Sequence, residues 1–498
     1  MSAADSQRRD SRRQDAADDV STEQLRAELL RRRAAGRAGG GRTAIPRADR
    51  SAALPLTFGQ QQLWFLHRLD PTSPEYLVPL LRRLRGPLDR GALDRSWQEL
   101  LDRHEVLRTR YGLADGRPVQ LIDPAAPLDL PLTDLTGLPA DEREARATEL
   151  AEAAVAEPFD LAAQWPVRGS LIRLAEDDHL LVVVFHHIAC DAWSTRVFEE
   201  ELGALYGAFT AGQVSPLAPL PVQYADFAAW QRDRVTGDEL DRLLGYWRER
   251  LAGLEPLELP ADRPRPAVRD WRGAAVPLEV PAALAQRLDA YSKERGVTLF
   301  TTLLAAFDVA LARHTGREDI AVGTVISERN RPELARMIGY GVNTLVLREQ
   351  WTGEPSFAEL LDSVRTTVLD AFDHQEVPFA RLVDELSPER DTSRTPLFQV
   401  AFTLHESVEG LLNLPGIDTE VVELPWRTAK FDLAMQIETT VGGGLRGQVE
   451  FASALFDRVS VEGFAGRFVR LLEGLVGDPS ARVSSVGLLS VGELAVVA

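Results

Sequence analysis

The sequence runs to 498 residues with a formal net charge of -19, 45% hydrophobic and 26% charged residues, and a single cysteine. That length allows two or three domain-sized units with sizeable cores, and the acidic balance argues against a nucleic-acid binder, which would carry a basic face. No apolar run reaches membrane-spanning length, and Cys190 alone permits no internal disulfide and fits a reducing cytoplasm.

Residues 1–45 are rich in Arg, Ala, Asp and Gly and contain no hydrophobic signal segment. This composition predicts a disordered or docking tail, within which Ser21-Thr22-Glu23-Gln24 opens a short helical run with a polar cap. The folded chain is expected from Ile45-Pro46. Thr57, Gln60, Leu63 and Trp64 stand within Pro55 to Pro79, and Trp97, Leu100, Leu101 and His104 give helical periodicity over Asp94 to Leu107. That run leads into Arg103-His104-Glu105-Val106-Leu107-Arg108-Thr109. Arg103 and Arg108 read either as solvated charges or as buried contacts under the floor of a cleft.

Pro166 to Leu174 and the β-branched run Leu180 to Phe185 flank the turn residues Ala175 to Asp178, as in a hairpin. The second run reads as a buried strand. His186, His187 and Asp191 follow it, and then Trp193, Val197, Phe198, Leu202, Leu205 and Tyr206 take up helical spacing. Adjacent strand side chains point to opposite faces, so one histidine should meet the core and the other a cleft. Such a cluster can be structural, a metal site, or an acyl-transfer site with neutral imidazole as base or orienting group. The spacing lacks the further ligands a metal would need, so no metal is expected.

Ser215 to Trp230 is Pro-rich and reads as an extended connection; Tyr224, Asp226, Phe227 and Trp230 close it. Val297 to His314 reads as a helix, and Asp319 to Ser327 as a strand leading into Glu328-Arg329-Asn330-Arg331. Beyond them stand Met337 to Arg348 (with Gly339, Val342, Asn343 and Thr344), His374 to Phe379, Arg390 to Val400, Thr428 to Leu433, and a strand around Gly447 to Phe451.

His-His-x-x-x-Asp after a strand, with these stretches in this order between residues 54 and 480, resembles the condensation domains of nonribosomal peptide synthetases. The resemblance implies an α/β fold of two chloramphenicol-acetyltransferase-like subdomains, expected at 46–222 and 223–498, forming a V-shaped pseudo-dimer with a central tunnel. His187 would lie in the tunnel and handle the proton of the attacking amine or hydroxyl, while His186 would face the core. Asp191 would be structural, in a salt bridge to Arg329, with Arg103, Arg108, Asn343 and Trp193 as support. Ala192, where the family has Gly, and Gly341, where it has Phe, are candidate tunnel-lining positions; Thr395 replaces a common Asn. The implied donor is an L-configured acyl group on the phosphopantetheine of a peptidyl carrier protein, with a small or carrier-bound acceptor and no permanently bound cofactor. His186 argues against the heterocyclising branch and His187 against the oxygenase-recruiting one. With no adenylation signature and no phosphopantetheine acceptor segment, the chain is expected to be a free-standing enzyme or a terminal fragment. Two rivals are a coenzyme A acyltransferase, whose plant-type Asp-Phe-Gly-Trp-Gly segment is missing here, and a non-catalytic docking module.

Overall fold

The computed structural model describes residues 44–387, 391–405, 411–425, 427–440 and 443–488. The helix expected near Ser21 and residue Arg390 lie outside them.

Two sheets organise the described chain. The first has five strands in the order Asp418–Val421, Leu77–Arg85, Asp178–His186, Val167–Ala175, Leu132–Asp134. Its middle strand, Asp178–His186, is buried at all but its first residue, because it pairs antiparallel on both sides and helices cover it. The expected hairpin is present, turning at residues 176–177. Helices Arg90–Arg103 and Ala192–Thr210 pack here, and Trp97, Phe185 and Phe198 join edge to face in one core.

The second sheet has six strands, ordered Val342–Gln350, Asp319–Ser327, Val400–His405, Leu433–Thr439, Leu445–Ala452, Gly273–Val280. Its core holds helix Leu299–Thr315 almost entirely, with Phe357–Asp373 and Arg458–Gly477. The Leu299 helix starts after Thr298 because that hydroxyl accepts the Thr301 amide hydrogen as a cap.

Two expectations need correction. The connection expected to be extended through Trp230 becomes a helix at Tyr224–Arg234, because the Asp226 carboxylate accepts the Gln223 amide hydrogen and fixes a first turn. The division at 222/223 is also crossed. Tyr224, Phe227, Leu334, Met337, Ile338, Leu412 and Leu414 join the first core, and Asp418–Val421 pairs with Leu77–Arg85. This added strand covers an edge that would otherwise expose its amides. Gly203 lets the crossing segment approach: a Cβ there would sit 2.7 Å from the Asn413 carbonyl oxygen.

Candidate active site

The central strand ends at His186, and a single 3-10 turn, His187–Ala189, intervenes before helix Ala192–Thr210. This turn separates the two histidines. His186 is 3% exposed, and its Nδ1 accepts the Ile188 amide hydrogen at 3.1 Å, which places its own proton on Nε2. Its ring meets His67 and Phe159 edge-on, and burial holds it neutral.

His187 is held differently. Its amide donates to the Tyr76 carbonyl at 2.7 Å, and Nδ1–H donates to the Cys190 carbonyl at 2.7 Å. The Nε2 lone pair is therefore the free one. Burial first, and then the positive charge of Lys430, lower its pKa from 6.5 to about 4. The Tyr340 ring stands edge-on at 5.1 Å. From below, Gln60 clamps the loop by donating to the Ile188 carbonyl at 3.0 Å, within a helix whose cap is Thr57.

Asp191 does not reach the imidazole. Oδ1 caps the following helix by accepting from the Ser194 amide at 2.8 Å, with the Ser194 hydroxyl at 2.7 Å. Oδ2 accepts from Arg329 Nη1 at 2.6 Å and from the Gly341 amide at 2.9 Å. Burial would raise its pKa, but Arg329 and Ser194 outweigh that and hold the carboxylate below its usual range. Arg329 continues to the Gly339 carbonyl and Ser194 hydroxyl, so the pair ties the end of the histidine loop to the second sheet. Ser194 completes this network and was invisible to motif reading; its position three residues past a capping Asp was the available signal.

The remaining candidates scatter. Arg103 donates to Glu201 and to the Ala218 carbonyl, Glu201 also meeting His104, and Arg108 binds the Asp123 carbonyl; both arginines brace the first core rather than the histidines. Asn343 pins its strand to the His374–Phe379 stretch through the Gln375 and Val377 carbonyls and the Phe379 amide. Trp193 is 42% exposed and donates to the Ala335 carbonyl. Ala192 is exposed at the head of its helix. Gly341 opens no space: a Cβ would stand 2.5 Å from Arg329 Nη1, so the guanidinium fills the volume a side chain would need. Cys190 is fully buried, and burial, then Asp191, push its thiol pKa well up, away from the reactive thiolate. Among the described residues no group of three or more His, Cys, Asp or Glu is placed to hold a metal ion.

Two layered α/β halves, with a histidine loop at the end of the first sheet's central strand, make a fold of the chloramphenicol acetyltransferase type. The family model for the condensation domain matches residues 51–496, and the chain belongs to that family. It is 41% identical over 449 residues to chondramide synthase cmdD of Chondromyces crocatus, covering 90% of this chain and 11% of that protein. Malpinin synthetase of Mortierella alpina is 38% identical over 451 residues, covering 90% of this chain and 6% of its own. The chain thus spans about a tenth or less of the length of these curated relatives. Among solved structures, the X-domain in complex with OxyB from teicoplanin biosynthesis superposes with a TM-score of 0.82 at 30% identity, covering 91% of this chain and all of that one. The first condensation domain of the calcium-dependent antibiotic synthetase gives 0.74 at 23% identity, covering 88% of this chain and all of that one. The described fold, two chloramphenicol-acetyltransferase-like subdomains, is the condensation-domain fold.

Proposed function

We propose that this chain joins an L-configured acyl or aminoacyl group, delivered as a carrier-protein phosphopantetheine thioester, to an amine or hydroxyl acceptor, in the cytoplasm. The carrying observation is the hydrogen bond from His187 Nδ1–H to the Cys190 carbonyl, which leaves Nε2 as a neutral, oriented base. The acceptor nitrogen or oxygen attacks the thioester carbonyl carbon while Nε2 takes its proton. The carbonyl π pair moves onto oxygen; on collapse the C–S bond breaks, and the thiolate leaves with the proton from His187. No acyl group rests on the enzyme, and the thioester supplies the driving force. His186 and Asp191 act by fixing the loop.

The likeness to an X-domain solved in complex with OxyB supports a second reading, in which this chain gathers a partner as a docking module. The resemblance associates that branch with loss of the second histidine, and His187 is retained. Carrier proteins loaded with each proteinogenic L-amino acid, and the same acyl groups on coenzyme A, would be offered with glycinamide and ethanolamine, and products read by mass spectrometry. Transfer from carriers alone is expected. Transfer from coenzyme A alone would make it a coenzyme A acyltransferase, and no transfer from any donor would favour the docking module.

A further inference from the structure

We propose that the Lys430 ammonium receives the negative charge that builds on the thioester oxygen when the acceptor attacks. This rests on the condensation reading above and adds to it a cation of the second subdomain that lies over Tyr76, the residue holding the His187 amide.

The placement of Lys430 is built. Its segment is strapped by a bridge between Arg272 and Thr428, by the Ala429 amide donating to the Trp271 carbonyl, and by its own amide donating to Glu450 at 2.9 Å. Arg269 Nη1 donates to the Ala429 and Lys430 carbonyls at 2.9 and 3.2 Å, and its Nη2 binds Glu75 of the first subdomain at 2.8 Å. With this backbone fixed, the ammonium lies 5.4 Å over the Tyr76 ring. Tyr76 is also the residue whose carbonyl accepts the His187 amide, so it stands against both residues, and the lysine charge bears on the imidazole.

Three charged groups surround it: Glu75, Arg269 and Glu450. Among the described residues no carboxylate lies within 4 Å of the Lys430 nitrogen, because Glu75 is engaged by Arg269 and the Glu450 carboxylate takes the Lys430 amide instead. Burial lowers the ammonium pKa, while Glu450 and Glu75 oppose that. A half-buried cation that the fold holds without a paired carboxylate is suited to an anion that exists only in the transition state. It need not reorganise when that charge appears. One of only two lysines in an arginine-rich chain, it offers a compact point charge where a guanidinium fork would demand a planar partner.

Wild type, Lys430→Met, Lys430→Gln, Lys430→Arg and His187→Ala would be assayed with the carrier-loaded donor that wild type turns over fastest, using glycine and glycinamide as acceptors. The expected result is a loss of about 10²–10³-fold in kcat for Met and Gln, equal for both acceptors and with little change in donor KM. Lys430→Arg should recover part of the rate, and all Lys430 variants should melt as wild type does. Full kcat in folded Met or Gln variants would overturn the proposal. So would a loss confined to glycine and expressed in KM, which would make Lys430 an acceptor-carboxylate clamp. Wild type inactive with every donor would instead remove the condensation reading, and this inference with it.

Discussion

Arg329 Nη1 and Asp191 Oδ2, 138 residues apart in the chain, meet at 2.6 Å with both side chains 2% exposed. This pair joins the histidine loop of the first sheet to the end of the Asp319–Ser327 strand of the second. Asp191 spends both oxygens on it and on the helix cap, which leaves neither turned to the imidazole.

Asp191→Asn strands a buried guanidinium, and a loss of about 3–5 kcal/mol in urea unfolding is expected. The carboxylate is held below its ordinary 3.8, so its contribution is present above that pH and is lost as pH falls through the folded value. A variant that unfolds like wild type yet is inactive would assign Asp191 to the chemistry.

Gly341→Ala places a methyl against the guanidinium that Asp191 holds. Overpacking of this kind costs about 1–3 kcal/mol. Ala192→Gly, at an exposed first helical residue, should alter thermal unfolding far less. Equal melting shifts for the two would contradict the account of position 341.

Cys190→Ala should keep most activity, since a buried thiol with raised pKa offers no thiolate. Intact-mass spectra taken during turnover should show no acylated enzyme. An acyl adduct on the wild type that Cys190→Ala lacks would replace the direct-attack scheme.

The pH profile follows from His187. With its pKa near 4, the imidazole is neutral above that value, so with a hydroxyl acceptor, which does not titrate in this range as an amine does, kcat/KM should lose activity on the acid side near pH 4 rather than near 6.5. Lys430→Met should move this limb upward, because the charge that depresses the imidazole is gone. An acid limb at the ordinary histidine value in wild type would show that substrate-free His187 is solvated.

The strand, the histidine pair and the following helix were legible because burial and periodicity are local. So was the hairpin, from its turn residues. What local pattern could not carry is partner choice across the fold. Arg103 and Arg108 read equally well as cleft supports until Glu201 and Asp123 took them. Gly341 read as a tunnel-lining position because its neighbour in three dimensions, Arg329, lies twelve residues earlier. The strand Asp418–Val421 escaped notice since four residues with a solvated face have no period to read, and its pairing is decided by the free edge of Leu77–Arg85. Lys430 belongs to the same class, a charge whose meaning comes only from what surrounds it.

The central claim is that His187 Nε2 takes the acceptor proton. An α-amine, with a pKa of about 7.7–8.0, is partly neutral at pH 7, whereas a hydroxyl needs a base as it attacks. The direct measurement compares wild type and His187→Ala on one carrier-loaded donor with glycinamide and with a hydroxyl acceptor of the same shape, glycolamide. Removing a general base is expected to cost about 10²–10⁴-fold with the hydroxyl and distinctly less with the amine. Equal losses would mean that the imidazole only orients the substrate, and full activity in the variant would contradict the claim outright.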